Sequence, residues 1–269
     1  MKPIAKLLLS LSLFLFSSSC ITNSGDPGIS EAEINQEAEK AYADIKAKSK
    51  LSNNTEWNAM VQRVAKRIAK ASGENFNWEA VLIESPEPNA WCMPGGKMAV
   101  YTGIMPILKT EAALAAVLGH EVAHATLRHG LKGYARAKQE SYTGLLILGA
   151  AVVGGELLCK DQRCKQWASL GGAAAGFALT FLNRKFSRAD ESAADKDGQI
   201  FMARAGYDPS ESIKLWERMG ANGGQKPPEF LSTHPSDETR RNHLTEWMPQ
   251  AQQEYQKSTT KYGLGATIK

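Results

Sequence analysis

The sequence predicts an α+β domain, mainly helical, with one small β-sheet. Three observations lead there. Apolar residues recur at helical spacing in several long segments, Trp78 to Ile83 is an apolar run of strand length, and Pro94, Gly95 and Gly96 join two short apolar runs within NAWCMPGGKMAVYTG at 89–103. About 250 residues beyond the first twenty suffice for a single domain with a sizeable core. Nothing repeats along the chain.

From the N-terminus, Lys2 and Lys6 precede an apolar run from Leu7 to Phe16, followed by Ser17, Ser18, Ser19 and Cys20. That layout reads as an export signal over 1–19. Cys20 resembles the acylated cysteine of a bacterial lipobox, which implies a lipid anchor. With Ile21 next, it implies outer-membrane retention in the periplasm, plain secretion being the alternative. Residues 20–30, rich in Asn, Ser, Gly and Pro, read as a flexible tether from lipid to domain. The formal charge of +4 falls to +2 once Lys2 and Lys6 leave, so no nucleic-acid partner is implied.

The domain itself is expected over 31–249. Residues 31 to 50 and 56 to 72 read as helices; in the second, Trp57, Met60, Val61, Val64, Ala65 and Ile68 share a face, and Gly73 supplies a stop. Trp78 to Ile83 reads as a strand. After Gly95 and Gly96, Met98, Val100 and Tyr101 suit another, so a β-hairpin or bent edge strand is expected. A free edge can pair with an extended peptide through main-chain hydrogen bonds that ignore sequence.

Thr110 to Gly130 reads as one uninterrupted helix carrying HEVAHATLRH at 120–129. His120 and His124, four apart, present two imidazoles to one point, with Glu121 beside them. That pattern binds zinc: neutral imidazole nitrogen suits the ion, a catalytic site leaves one position to water, and Glu121 becomes the general base. Apolar residues surround these polar ones, so the helix is buried and its His and Glu need a reason to be there. His129, nine positions beyond His120, is expected on the opposite side.

A third ligand must come from elsewhere. The metzincin extension fails, since Leu127 and Gly130 stand where Gly and His are required. In SRADESAADKDG at 187–198, Glu191 and Asp195 lie four apart on a helix. Glu191 can ligate while Asp195 orients a ligand His by accepting its other ring N–H. Small Ala189, Ala193 and Ala194 would let this helix lie close to the zinc helix.

Four segments together, 89–103, the zinc helix, SRADESAAD and STHPSDETR at 232–240, resemble metallopeptidase family M48, the HtpX and CAAX prenyl endopeptidase superfamily, and most of all its periplasmic lipoprotein members. The resemblance runs from about Glu31 to Trp247. It implies a zincin-like (gluzincin) domain with one zinc ion, Glu191 as third ligand, and an edge strand lining the cleft, placed here at Gly95, Gly96, Met98 and Val100. It also implies that His234 lies near the metal, stabilising the oxyanion or capping the zinc in a closed state. Arg240 or Arg241 could add a cation at the oxyanion.

Between the zinc helix and Glu191, the Gly- and Ala-rich stretch 143–182 is expected as an apolar helical hairpin. Its runs fall short of the roughly 20 residues that a bilayer requires. Cys159 and Cys164 at its tip are placed to form a disulfide in an oxidising compartment, worth about 2 kcal/mol for so small a ring. Cys92 reads as a buried inert thiol. Residues 250–269 read as a polar tail that frays. The function expected is a zinc metalloendopeptidase cleaving unfolded or misassembled cell-envelope proteins, the alternative being a zinc-bearing envelope chaperone or assembly factor with latent proteolysis.

Overall fold

In a computed structural model of the chain, the described residues are 30–134, 176–178, 181–182, 185–221, 234 and 238–268. The expected export signal over 1–19, Cys20 and nearly all of the expected tether over 20–30, the Cys159 and Cys164 pair and nearly all of the hairpin expected over 143–182 lie outside them.

The fold is mainly helical around a three-stranded sheet. Helix α1, Glu31–Lys48, begins at a capping box in which the Ser30 hydroxyl accepts from Glu33 N while the Glu33 carboxylate accepts from Ser30 N. Helix α2, Thr55–Ser72, starts at the Asn54 cap and ends where Gly73 turns left-handed. Strands β1 (Glu79–Ile83), β2 (Ala90–Met93) and β3 (Lys97–Tyr101) follow, then the short α3 (Met105–Leu108) and the central α4 (Glu111–Thr126). The described chain continues through α5 (Arg188–Arg204), α6 (Ser210–Ala221) and α7 (Glu238–Lys257).

The sheet order is β1-β3-β2, with β1 parallel and β2 antiparallel to β3. Strand β3 is therefore central, and the expectation that Met98 and Val100 sit on the substrate-facing edge is corrected. The hairpin makes β2 and β3 neighbours, but β1 docks on the far side of β3 and occupies its other edge. The open edge belongs to β2. Tyr101 N donates to Asn89 O, so by the antiparallel alternation the main chains of Ala90 and Cys92 point outward. Ala90 N–H is taken by the Asn89 side chain, and among the described residues no strand pairs with that edge. Gly95 and Gly96, both at positive φ, close the hairpin turn instead; a Cβ on Gly96 would stand 2.6 Å from the Trp78 ring.

Each face of the sheet is covered. Ala80, Leu82, Ala90, Cys92, Met98 and Val100 pack with α2 and α4 in the larger core. Ile83, Trp91, Met93, Ala99 and Tyr101 pack with Ile34, Ala38, Tyr42 and Ile45 of α1 and with Phe177 and Phe181. Helix α4 is buried from Glu111 to Ala125, and a side chain such as Leu114 or Val117 contributes roughly 1.5–3 kcal/mol by leaving water.

Helices α4 and α5 cross at glycine. A Cβ on Gly119 would stand 2.6 Å from Gly198 O, and one on Gly198 would stand 2.7 Å from His120 N. This crossing, more than the alanines of α5, sets the approach of the two helices. Gln199 then ties three helices together by donating to Ser212 Oγ and to Leu244 O.

Two further expectations are corrected. Helix α4 stops at Thr126, because Arg128 adopts φ 56° and turns the chain before helix resumes at His129. The C-terminal segment is also ordered against the domain through at least Ile268. Ile268 N donates to Lys109 O, Glu111 N to Ala266 O, and Tyr262 N to Gly206 O, while the Arg67 guanidinium lies 3.5 Å over the Tyr262 ring. Polar side chains hid this, since the backbone does the pairing. Among the described residues no helix is long and apolar enough to cross a membrane.

Candidate metal centre

One turn of α4 places His120 and His124 on the same side, their Nε2 atoms 3.0 Å apart. The Gly119 and Gly198 crossing brings α5 against them, and Glu191 Oε1 lies 3.3 Å from His124 Nε2 while Oε2 lies 3.5 Å from His120 Nε2. His234 supplies a fourth donor, its Nδ1 being 2.9 Å from Glu191 Oε1 and 3.1 Å from His120 Nε2. All four side chains are buried, and one donor atom of each lies within 4.8 Å of the others.

Those separations fit zinc. A tetrahedral zinc with bonds of about 2.0–2.1 Å holds its donors about 3.3–3.4 Å apart, and three imidazoles with one carboxylate are donors it accepts. Burial holds His124 well below the ordinary histidine range, leaving it in the neutral form that can ligate. A model of Peptidase family M48 matches residues 51–248.

The chain belongs to peptidase family M48, a family of zinc metallopeptidases. The mitochondrial metalloendopeptidase OMA1 of Schizosaccharomyces pombe is 40% identical over 196 residues, covering 71% of this chain and 53% of that protein. OMA1 of Saccharomyces cerevisiae is 34% identical over 196 residues, covering 69% and 51%. The β-barrel assembly-enhancing protease of Escherichia coli is 28% identical over 188 residues, covering 68% and 37%. The M48 chain thus spans about half the length of these OMA1 relatives.

Behind the donors of this M48 site stands a second layer. Asp195 Oδ1 lies 2.9 Å from His120 Nδ1, the position expected of a carboxylate that orients a metal-binding ring. Arg240 grips both carboxylates: Nε donates to Asp195 Oδ2 at 2.6 Å, and Nη1 lies 2.8 Å from Glu191 Oε2. Burial alone would push the Asp195 carboxyl up, but Arg240 and His120 hold it below its ordinary value. This corrects the reading of Arg240 and Arg241 as oxyanion donors. Arg240 is buried and committed to Asp195 and Glu191, with its guanidinium 3.8 Å over the Trp216 ring, and Arg241 faces solvent.

Glu121 sits beside the four donors, its Oε1 3.6 Å from His234 Nε2 and without a hydrogen-bond partner among the described residues. Burial pushes its carboxyl up from the ordinary value, although His234 and His120 pull the other way. Glu121 and His234 line a pocket with Ala90, Cys92, Phe181 and Phe186, so the open edge strand β2 borders it. Gly95 lies away from that pocket, in the turn against Asn35.

His129 is the residue that the sequence reading misplaced. The turn at Arg128 swings it back, so that its Nδ1 lies 3.0 Å from His124 Nδ1 and its Nε2 lies 3.5 Å from Asp190 Oδ1. A left-handed residue that is neither Gly nor Asn leaves no mark in the sequence.

Proposed function

We propose that this M48 chain is a zinc-dependent endopeptidase whose substrates are unfolded or misassembled cell-envelope proteins. The observation that carries the peptidase reading is the placement of Glu121, buried and poised between a four-donor cluster and a strand edge that no other described strand pairs. His120, His124 and Glu191 would hold the metal. Zinc, when bound, supplies a Lewis acid that acidifies a water and polarises the substrate carbonyl. Glu121 takes the proton of the attacking water as its oxygen joins the carbonyl carbon, then delivers that proton to the departing amine as the C–N bond breaks. The outward main chain of Cys92 and the carbonyl of Ala90 would hold the peptide as an added strand, which only an unfolded segment can supply.

The envelope location rests on the export-signal layout of residues 1–20 and the lipobox-like Cys20. The Escherichia coli relative is named for enhancing β-barrel assembly, which supports misassembled proteins as the substrate class, whereas the OMA1 relatives are named as mitochondrial.

A second reading, a zinc-bearing assembly factor with latent proteolysis, is favoured by His234. Four protein donors make a closed site, while catalysis needs one position open. Cleavage of casein by the purified protein, with metal content measured in parallel, separates the two. Zinc-dependent cleavage that vanishes in Glu121→Gln supports the peptidase. Stoichiometric zinc without cleavage, relieved by His234→Ala, supports latency.

A further inference from the structure

We infer that His129 is a positioning residue for the metal site, fixing the tautomer and orientation of His124 and linking that ring to Asp190 at the start of α5. The inference deepens the proposed function and rests on His124 being a metal ligand.

The chemistry runs in one direction. His124 turns Nε2 toward the other donors, and that nitrogen can bind a metal only with its lone pair free. The ring proton must then sit on Nδ1, where the acceptor within reach is His129 Nδ1 at 3.0 Å. His129 in turn must carry its proton on Nε2, the atom 3.5 Å from Asp190 Oδ1. Asp190, His129 and His124 thus lie in line, with His129 Nδ1 against His124 Nδ1 and the Asp190 carboxylate beside the far nitrogen of His129. The two rings stand at 71° with centroids 5.0 Å apart, and His129 is 4% exposed.

The backbone accepts strain to build this alignment. Arg128 is one of two non-glycine residues at positive φ among those described. A continued α4 would carry position 129 away from the metal face. Arg128 is held in its turn by Glu31 at 3.1 Å, by Glu74 at 2.7 Å, by Thr126 O, and by the Phe76 ring 5.1 Å away. Such local strain persists where surrounding contacts fix it, and its product here is the placement of His129.

Asp190 completes the arrangement. Its Oδ2 accepts from Ser187 N and Ser187 Oγ, so the carboxylate belongs to the N-terminal capping box of the helix that carries Glu191. His120 reaches its carboxylate, Asp195, directly; His124 reaches one through His129. Both ligand rings are therefore referred to α5, and rotation of that helix would turn them together.

The test is the zinc dissociation constant of the purified protein, by competition with a chromogenic chelator, together with the visible spectrum of the cobalt-loaded form. His129→Leu removes the acceptor. His129→Asn keeps an oxygen where Nδ1 stood. The Leu variant is expected to bind zinc at least about tenfold more weakly and to shift the cobalt bands, with the Asn variant returning most of both. Unchanged affinity and spectrum in a folded Leu variant would overturn the inference. If the Leu variant does not fold, His129→Gln decides, since its amide oxygen reaches past the Nδ1 position: affinity must fall in Gln and hold in Asn, and equal values in the two overturn the inference. Wild-type protein without stoichiometric zinc, or His124→Ala binding as tightly as wild type, would instead refute the metal-site reading beneath it.

Discussion

Arg240 holds Asp195 with both prongs of its guanidinium, Nε on Oδ2 at 2.6 Å and Nη2 on Oδ1 at 2.5 Å. Removing one member of a buried pair leaves the other charge uncompensated, at a cost of about 3–5 kcal/mol. Arg240→Ala should therefore lower stability in urea by that order and weaken zinc, because Asp195 loses the group that fixes it behind His120. Arg241→Ala, at an exposed position, should stay within about 0.5 kcal/mol of wild type. Equal effects of the two substitutions would contradict the clamp.

The crossing of α4 and α5 has no room for a methyl group. Gly198→Ala places a carbon against His120 N and forces the helices apart, an overpacking cost of about 1–3 kcal/mol. Because the displaced residue adjoins the donors, zinc affinity should fall as well. Chelator competition and urea unfolding on the same preparation check this, and loss of stability with zinc binding intact would mean that the donors tolerate the shift.

Glu111 opens α4 in a buried network, accepting from Arg63 Nη2 at 2.6 Å and from Tyr207 Oη at 2.9 Å. Burial would raise its carboxyl, but the Arg63 and Tyr207 hydrogen bonds hold it below the ordinary value of 4.5. A carboxylate with a depressed folded pKa adds stability above its unfolded value, and that contribution fades as pH falls through the folded one. Glu111→Gln should thus be less stable than wild type by about 1.5–3 kcal/mol at pH 7. The gap should close on titration below 4.5. Urea unfolding of both proteins across that range would show it, and a gap independent of pH would rule out the charged network.

Truncation after Lys257 removes the hydrogen bonds that Ile268, Ala266 and Tyr262 make to Lys109, Glu111 and Gly206. At about 1 kcal/mol each, their loss should lower the melting temperature by several degrees. An unchanged melting curve would return this segment to the frayed tail that its composition suggests.

Much of the site was legible because α-helical spacing is a strong constraint. Four-residue separations put His120 beside His124 and Glu191 beside Asp195, and apolar surroundings marked the first pair as buried. The turn glycines likewise marked the hairpin. Strand order was not legible, since a hairpin names its own partner but not the side on which β1 adds. Arg240 and Arg241 are adjacent and chemically alike, and only the rotation of α7 separates the buried one from the exposed one. His129 was misread for a subtler reason. Its position depends on a backbone conformation at Arg128 that propensity disfavours and that contacts from Glu31 and Glu74, far away in sequence, maintain.

The distribution of donors along the chain also has a consequence in time. His120 and His234 are 114 positions apart, and the Arg240 clamp lies later still. A chain emerging residue by residue displays its paired histidines long before Glu191 exists to complete them, and α7 must form before Asp195 is held. The nascent polypeptide therefore carries an incomplete and unclamped set of donors until the last of its described helices docks, and on the proposed reading it cannot cut before then.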